Sequence, residues 1–560
     1  IKNFEQTVTA NYTLPFEKIP VTNWIGADYR YNVTYSWRAG PVERKDSLRL
    51  GNIIQNAQDQ GINGRIDLIK LYNKIGFLKA INAPKRPSAP VTRKAVADTV
   101  KKPPELGAIK GLLRLLMSVR NISGTYTLTQ GTILPGFTPT PNLFGMDKGW
   151  DAPGWGFVLG SQNPEVRFRA RDNGWLTTSP VLTTPFSQSQ TRDLGLRASI
   201  EPTTDLKIQL DVKKTANTTF QEIFRFDPDS AAFRSLSPSQ SGSYRVSILS
   251  INTAFRNNGS INSDVFNQFS QNIEIIQNRF TLLQGAGYER RSQDVLIPAF
   301  LAAYTGKSAQ DVSLSPFPRV PIPNWRLDYT GLTKLKGLKD VFQSVTISHA
   351  YTSSYSVLNY SNSLQYEGVG INIPVEDYNR TLFASQINEQ GQLVPVYVIS
   401  QVMISETFAP LVGVNVRTKS KLNFRLEYKT KRDLALNTSN AQITELSAKD
   451  WSFEFGFTKA NMKLPFKQQG RTLTLKNDVT FRMNVTLGNS RTIQRKIEEV
   501  NTITNGNINI QIRPNVSYVV NQKLTVQMYL DRNVNEPLVT NSYRRSTTRV
   551  GAKIVFNLAQ

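Results

Sequence analysis

The stretch RTLTLKNDVTFRMNVTL, which spans Arg471–Leu487, decides the fold because its polarity alternates from residue to residue. From Leu473 to Leu487 the odd positions are apolar, with Asn477 as the one exception, and the even positions are polar. Successive side chains of a β-strand point to opposite faces, so this pattern predicts a strand with one apolar and one polar face. Soluble strands usually run about 5–6 residues, whereas a tilted membrane-spanning strand needs about 9–11. A half-buried soluble strand would explain the alternation but not the length.

If such strands cross a membrane as part of a barrel, alternate side chains along each strand face the lipid and the lumen. The C-terminal strand Thr547–Gln560 alternates in the same way as the opening stretch. The side chains predicted to face lipid are Leu473, Leu475, Val479, Phe481, Met483, Val485, Leu487, Ile554 and Phe556. Those predicted to face the lumen are Lys476, Asp478, Arg482, Arg513 and Lys553.

Composition excludes several classes of protein. The hydrophobic fraction is 39%, and no run of about 18 apolar residues occurs, which excludes a helical membrane protein. The chain has no cysteine and one histidine, His349, so thiolate metal sites, cysteine nucleophiles and two-histidine motifs are excluded. The net charge is +25, but the basic residues alternate with apolar ones or lie in loops. That spread fits a basic lumen or anionic headgroups better than a nucleic-acid interface, and no nucleic-acid partner is expected.

The pattern of connections favours an up-and-down antiparallel sheet. Similar alternating segments recur along the chain, about fifteen in all. Links predicted to be short, at 201–205, 331–340, 418–421, 459–470 and 520–523, alternate with links predicted to be long. The long links are 130–191, 213–323, 352–406, 431–450, 488–507 and 531–546, with the long segment 73–118 as an exception on the short side. Short turns on one side and long loops on the other are typical of outer-membrane barrels.

Helical periodicity appears only within these links. Leu68–Ala80 could form a short amphipathic helix. Within the long loop 213–323, apolar residues recur every three or four positions from Val265 to Phe280, which predicts a helix. A second helix is predicted over Val295–Tyr304. Together they predict a small helical insert. The segment 84–118 is predicted to be a basic, proline-rich linker.

An odd strand number is unusual for a single-chain bacterial barrel. The chain also begins at Ile1 without a charged and apolar leader, so either a signal peptide has been removed or this is a piece of a longer chain. A free first strand would be an open edge in lipid, so we expect further chain to close the sheet.

No constellation of residues supports an enzyme or a cofactor. There is no P-loop, and Gly368-Val369-Gly370 is too short to suggest a nucleotide site. The paired carboxylates Glu498–Glu499 and Asp227/Asp229 lack a partner base and are interpreted as surface charge. His349 falls with the apolar positions of its strand, which favours a structural histidine at the membrane interface over a proton switch.

Several long segments resemble the outer-membrane translocon of the type IX secretion system of the Bacteroidota, the SprA (or Sov) family. They extend over most of the chain, and each is more specific than a short motif. The resembling segments are Tyr12–Trp37 (YTLPFEKIPVTNWIGADYRYNVTYSW), Leu50–Asn82, Asn121–Phe137 (NISGTYTLTQGTILPGF), Ala152–Gln162 (APGWGFVLGSQ), Leu196–Val212, Val295–Ala309, Pro321–Leu335 (PIPNWRLDYTGLTKL), Ser344–Tyr355 and Phe408–Asn437.

The resemblance implies the C-terminal portion of a very large β-barrel that exports folded proteins bearing C-terminal sorting domains and is linked to gliding motility. It also implies partners: the rest of the same barrel, a PorV-type shuttle barrel, a periplasmic plug protein, the exported cargo and the surrounding outer-membrane lipid. Energy would come from an inner-membrane motor. The loops 130–191 and 213–323 are candidate cap or gate elements.

Other functions stay open at this stage. A TonB-dependent-type receptor or a large porin would transport small solutes, and the receptor would need an N-terminal plug domain that this sequence does not show. A structural or adhesive β-rich surface protein is a third alternative, which should extract into buffer without detergent.

Overall fold

One large antiparallel sheet dominates the molecule. The computed structural model describes residues 2–41, 49–82, 113–256, 259–284, 288–364, 366, 386–389, 393–468, 471–521, 523–539 and 542–556. Within these residues the main sheet has sixteen strands, and neighbours in sequence are neighbours in the sheet almost throughout. The predicted fold class, an all-β up-and-down antiparallel sheet, is confirmed.

The strands are long, and most exceed the span of a soluble strand. Their bounds are β1 Asn3–Leu14, β2 Ile25–Arg38, β3 Asn52–Asp67, β4 Val119–Phe137, β5 Phe186–Thr203, β6 Leu206–Asp227, β7 Ala232–Ser247, β8 Asn324–Tyr329, β9 Phe342–Asn362, β10 Tyr397–Thr418, β11 Leu422–Asn437, β12 Gln442–Lys459, β13 Met462–Gln468, β14 Arg471–Leu475, β15 Val479–Lys496, β16 Thr502–Asn521, β17 Leu524–Pro537 and β18 Arg545–Phe556.

Strands β7 and β8 share one position in the sheet. Both pair with β6 and both pair with β9, β7 towards one end of these partners and β8 towards the other. On β6, Lys214 faces Val246 of β7, and Asp211 faces Asn324 of β8. The segment 248–323, here called the second insert, therefore leaves and re-enters the sheet in the middle of a single strand position.

The helices lie in the links and inserts. Near the short turns are α1 Leu68–Lys74, α2 Gly76–Asn82 and α7 Leu338–Val341. The segment 138–185, here called the first insert, carries α3 Trp155–Val158 and α4 Val166–Asp172, and the second insert carries α5 Asp264–Gln284 and α6 Gln293–Thr305. The helices predicted near 68–80, 265–280 and 295–304 all form. No helix in the described part of the chain has the length and apolarity needed to cross a bilayer.

The alternation predicts one continuous strand over Arg471–Leu487, and this prediction is wrong because two separate strands cover the stretch. Arg471–Leu475 pairs with Met462–Gln468 in a separate two-stranded sheet, and the wall strand begins at Val479. The break falls at Asn477, the exception in the pattern, whose side-chain amide donates a hydrogen bond to the Val520 carbonyl (2.6 Å). Leu473, Leu475, Lys476 and Asp478 therefore lie outside the main sheet.

Several links predicted to be long are wall strands joined by tight turns. The predicted loop 431–450 contains the end of β11, a turn at 438–441 and the start of β12, and the predicted loops 488–507 and 531–546 are likewise mostly strand. The predicted loop 130–191 begins and ends as strand, and the predicted loop 213–323 begins with the rest of β6 and with β7. The non-strand parts are mainly the two inserts. The predicted linker 84–118 lies largely outside the described residues, which resume at 113.

The two ends of the strands still differ in the links they carry. The links at one end include turns such as 204–205 and 419–421, and this end of the sheet is called the short-turn end. The links at the opposite end include 138–185 and 363–396 together with three tight turns, and this end is called the insert end. The predicted sorting of links is therefore weaker than expected, because strands extend into the predicted loops.

The second insert should depend on the packing of its two long helices. Phe269 of α5 is fully buried and meets Phe300 of α6 edge-on, with ring centroids 6.4 Å apart. We expect Phe269→Ala to destabilise the insert by about 3–5 kcal/mol, because it removes a large buried ring. Limited proteolysis of the full chain in membranes would show this as faster cleavage within 248–323.

The matched control is Leu282→Ala, since Leu282 of the same helix is 87% exposed. That change should alter stability by less than about 0.5 kcal/mol. Equal protease sensitivity of the two variants would contradict the proposed packing.

Candidate functional surfaces of the wall

One face of the main sheet is polar from β1 to β18. In β2 it presents Asp28, Arg30, Asn32 and Thr34, and the paired positions of β3 continue the pattern. Ion pairs join neighbouring strands across this face, for example Arg30–Asp59 and Arg197–Asp211, each at 2.7 Å. Further ion pairs on this face are Arg326–Asp328, Lys431–Asp433 and Arg513–Asp531. No insert in the described part of the chain packs against this face, which we call the polar face.

The opposite face is apolar towards the short-turn end, and we call that region the belt. Its side chains come from nearly every strand of the wall. Many are large and exposed, including Val8, Tyr12, Ile62, Tyr126, Leu196, Val412, Leu422, Trp451, Leu487, Val516, Met528, Val550, Ile554 and Phe556. A continuous apolar surface of this extent marks contact with a membrane or another protein. We call the whole side of the sheet that carries the belt the apolar face.

Strands β12 and β15 show how the apolar face changes along its height. From the short-turn end, the paired residues run Phe457/Phe481, Phe455/Met483, Phe453/Val485 and Trp451/Leu487. The next two pairs are polar, Lys449/Asn489 and Ser447/Arg491. The last two pairs, Glu445/Ile493 and Ile443/Arg495, are buried beneath the second insert. The face thus passes from an exposed apolar belt through a polar band to a covered region.

Aromatic residues lie at both borders of the belt on these strands. Tyr428 and Trp451 stack with ring centroids 4.4 Å apart beside the polar band. Phe457 and Phe481 stack at 5.5 Å near the short-turn end. Aromatic girdles at both borders of an apolar band are typical of transmembrane barrels.

Both inserts pack on the apolar face, above the belt at the insert end. In the first insert, Phe157 meets Tyr35 edge-on at 6.0 Å, and the Trp37 indole donates to the Pro139 carbonyl (3.1 Å). In the second insert, the Pro316 carbonyl accepts from the Tyr355 hydroxyl (2.9 Å). The inserts therefore cover the same side of the wall as the belt, and the polar face is left open.

Buried ion pairs fix the second insert to the wall. Arg432 and Glu406 are 2.9 Å apart with side chains 3% and 2% exposed, and Arg432 also donates to the Thr253 carbonyl (2.9 Å). Arg495 pairs with Glu445 (2.7 Å) and donates to the carbonyls of Ser260 and Ile261. Each guanidinium thus joins a wall carboxylate to the backbone of the insert.

A third buried pair fixes the first insert, where Arg167 of α4 contacts Glu222 of β6. Burial lowers the pKa of the Arg167 guanidinium, and the adjacent Glu222 carboxylate acts in the opposite direction. In the second insert, burial raises the pKa of the Tyr304 hydroxyl well above its ordinary value.

The structure sorts the sequence-predicted surface residues by face. Val479, Phe481, Met483, Val485, Leu487, Ile554 and Phe556 share the apolar face, and Arg482, Arg513 and Lys553 share the polar face. Which face meets lipid and which meets water stays a prediction. Sequence reasoning missed the buried pairs, although their signal was present: Glu406, Arg432, Glu445 and Arg495 are charged residues at apolar parity.

The other singled-out residues have structural surroundings. His349 lies on the apolar face, where its Nδ1 is 2.7 Å from the Leu411 carbonyl oxygen. Glu498 lies within 3.7 Å of Arg290 and 3.6 Å of Arg291, and Asp227 contacts Arg234 (3.0 Å), so both carboxylates belong to exposed ion pairs. In the part of the chain that the structure describes, no group of three metal-ligating side chains comes together.

Long antiparallel strands in sequential order, with one polar and one apolar face and an aromatic-bordered belt, are typical of the wall of a transmembrane β-barrel. The outer-membrane location stays a prediction from the sequence, and these features support it.

No known family model matches the sequence, and no curated protein is detectably similar. Among solved structures, the chain is similar to the outer-membrane transporter YddB from Escherichia coli (TM-score 0.30, 7% identity, 96% of this chain and 55% of that one). It is also similar to BauA, the ferric preacinetobactin receptor from Acinetobacter baumannii (TM-score 0.24, 6% identity, 99% of this chain and 73% of that one). A third similar structure is the RagAB peptide transporter (TM-score 0.27, 8% identity, 92% of this chain and 50% of that one). The chain spans about half the length of YddB.

The assignment of the two faces can be tested with single cysteines, because the chain has none of its own. Val485 and Asn484 are adjacent in β15 and lie on opposite faces. In native membranes we expect a membrane-impermeant maleimide to label Asn484→Cys at least about tenfold faster than Val485→Cys, because thiolates form poorly in apolar surroundings. Mass spectrometry of the labelled chain measures both rates. The reverse order would mean that the apolar face meets water.

The buried pair beneath the second insert should hold it in place. Glu445→Gln leaves the Arg495 guanidinium, which is fully buried, without its carboxylate. We expect the docked state to lose about 3–5 kcal/mol, because an uncompensated buried charge remains. Hydrogen exchange of the backbone around 259–264 should rise accordingly.

The control is Asp531→Asn on the polar face, which breaks the half-exposed pair with Arg513. An exposed pair contributes at most about 1 kcal/mol, so local exchange there should change little. If Glu445→Gln left the exchange of the insert unchanged, the clamping role of Arg495 would be wrong.

Proposed function

We propose that this chain is part of the wall of a protein-conducting outer-membrane translocon of the type IX secretion class. The observation that carries the proposal is an unclosed wall of fifteen successive strand positions with a continuous polar face. Strands lie about 4.8 Å apart, so the wall covers an arc of roughly 70 Å before any tilt is considered.

The two edges of this wall have no partner among the described strands, since the order of the sheet runs from β1 to β18 without pairing these ends. Open strand edges are not tolerated in lipid, because their backbone groups would be unsatisfied. Further β-structure of the same barrel would close the wall. With at least one further strand the completed barrel would reach the size of porins, which have 16–18 strands and already hold an aqueous channel.

The polar face suits the inner lining of a wide conduit. Charges of both signs lie on this face, and some of them form ion pairs, as in Arg197–Asp211 and Arg513–Asp531. Cargo bearing a C-terminal sorting domain, a PorV-type shuttle barrel and a periplasmic plug are the partners that the sequence resemblance implies, and gliding motility is the associated process.

The packing of the inserts bears on their proposed role as a cap or gate. Both pack on the apolar face and are fixed by buried pairs, so with the polar face inward neither would lie across the conduit. They would brace the outer side of the wall above the bilayer. A cap or gate would then have to come from another part of the assembly.

Deleting the gene tests the proposed cargo. Proteins with C-terminal sorting domains should disappear from the medium and accumulate inside the outer membrane, and expression of the full-length gene should restore export. Quantitative proteomics of medium and periplasm measures both pools.

Uptake of small iron chelates and peptides, measured on the same strains, serves as the control and should not change. Normal export together with lost uptake would instead favour a receptor for small solutes. Normal export alone would remove the translocon assignment.

A further inference from the structure

A small cationic cavity lies on the apolar face where the belt ends. Its volume is about 120 Å³, and its lining consists of Gly259, Ser447, Lys449, Asn489 and Arg491. Lys449 faces Asn489 across the β12/β15 pair, and Ser447 faces Arg491. The two cations are therefore diagonal neighbours on one face, a spacing of about 7–8 Å between backbones that long side chains readily bridge.

The lining holds two positive charges and no carboxylate. In the described part of the chain, neither Lys449 nor Arg491 forms an ion pair or a side-chain hydrogen bond. Glu445, an acid on the same face of β12, is already engaged by Arg495 (2.7 Å) and by the Gly259 amide (3.0 Å). Asp450 lies next to Lys449 in sequence but points to the polar face. The two cations are thus available to an anion from outside the chain.

The cavity is shaped by the docked insert. Gly259 has a positive φ of 76°, and a side chain at this position would begin 3.1 Å from the Ser447 hydroxyl. Its amide is held by Glu445, and the next two carbonyls are held by Arg495 at 2.6 and 2.8 Å. The buried pair that anchors the insert therefore also fixes one wall of the cavity.

The position of the cavity restricts the anion that it would take. Trp451 and Leu487 form the next pair towards the belt and are 48% and 44% exposed. Two residues along a strand span about 7 Å, so an anion at Lys449 would stand directly above exposed apolar surface. A free ion would use only the cations, whereas an amphiphile would use both surfaces.

We propose that Lys449 and Arg491 bind the phosphate of a membrane-lipid headgroup while the acyl chains of that lipid lie along Trp451 and Leu487. This inference rests on the proposed function, because it requires the apolar face to meet the bilayer. Arginine offers a planar fork to phosphate oxygens, and lysine offers a compact charge. The Ser447 hydroxyl and the Asn489 amide can donate further hydrogen bonds to the same group.

Lipid retention by the complete barrel tests the site. The protein is purified in detergent, equilibrated with equal amounts of phosphatidylglycerol and phosphatidylcholine, and analysed by native mass spectrometry. The wild type should retain phosphatidylglycerol in preference. The double variant Lys449→Ala/Arg491→Ala should lose about tenfold of that retention, because two charge-assisted contacts are removed.

The matched control is Arg482→Ala/Lys553→Ala, which removes two cations from the polar face. Its lipid retention should equal that of the wild type. Unchanged retention in the Lys449/Arg491 variant would overturn the proposal, as would complete displacement of the lipid by inorganic phosphate. Protease resistance of the second insert shows that the variant is folded.

Cysteine labelling at Val485 and Asn484 in the same preparation separates this inference from the proposed function. If the apolar face is labelled from water, the membrane assignment of the wall fails and the headgroup site fails with it. If the faces are as proposed and phosphatidylglycerol retention does not depend on Lys449 and Arg491, only the headgroup site is wrong.

Discussion

The structure depends on one constraint, which is that a single sheet presents one polar and one apolar face. Each strand must send alternate side chains to these two faces, and its backbone hydrogen bonds must be satisfied by the neighbouring strands. The pairing registers keep apolar residues opposite apolar residues from β1 to β18. A shift of one residue in any strand would place its apolar set on the polar face, so the register is strongly specified.

The same face serves three purposes at three heights. Near the short turns it is an exposed belt, in the middle it carries a narrow polar band, and at the insert end it holds the inserts. The change is sharp on β12, where Trp451, Lys449 and Glu445 lie on one face within a few residues. Ion pairs follow the same division: exposed pairs join strands on the polar face, and buried pairs such as Arg432–Glu406 hold the inserts.

Much of this could be predicted from sequence where the alternation is clean, as in 451–458 and 479–487. The prediction ended strands too early wherever the apolar face turns polar or charged, because Glu445, Lys449 and Arg491 remove the signal that identifies a strand. The break at Asn477 was visible as an exception but needed the partner carbonyl of Val520 to be understood. Docking of the inserts could not be predicted, since it depends on contacts between segments far apart in sequence, such as Arg495 with Ser260.

The shared position of β7 and β8 has a consequence for how this wall could change in evolution. The ladders of β6 and β9 stay nearly complete whether the intervening chain is long or short, because Val246 and Asn324 take up adjacent places beside β6. Extra domains could accordingly be acquired, exchanged or lost between β7 and β8 without changing the neighbouring strands. Variation among related barrels would then concentrate at mid-height as well as at the rim, where hairpin tips usually absorb it.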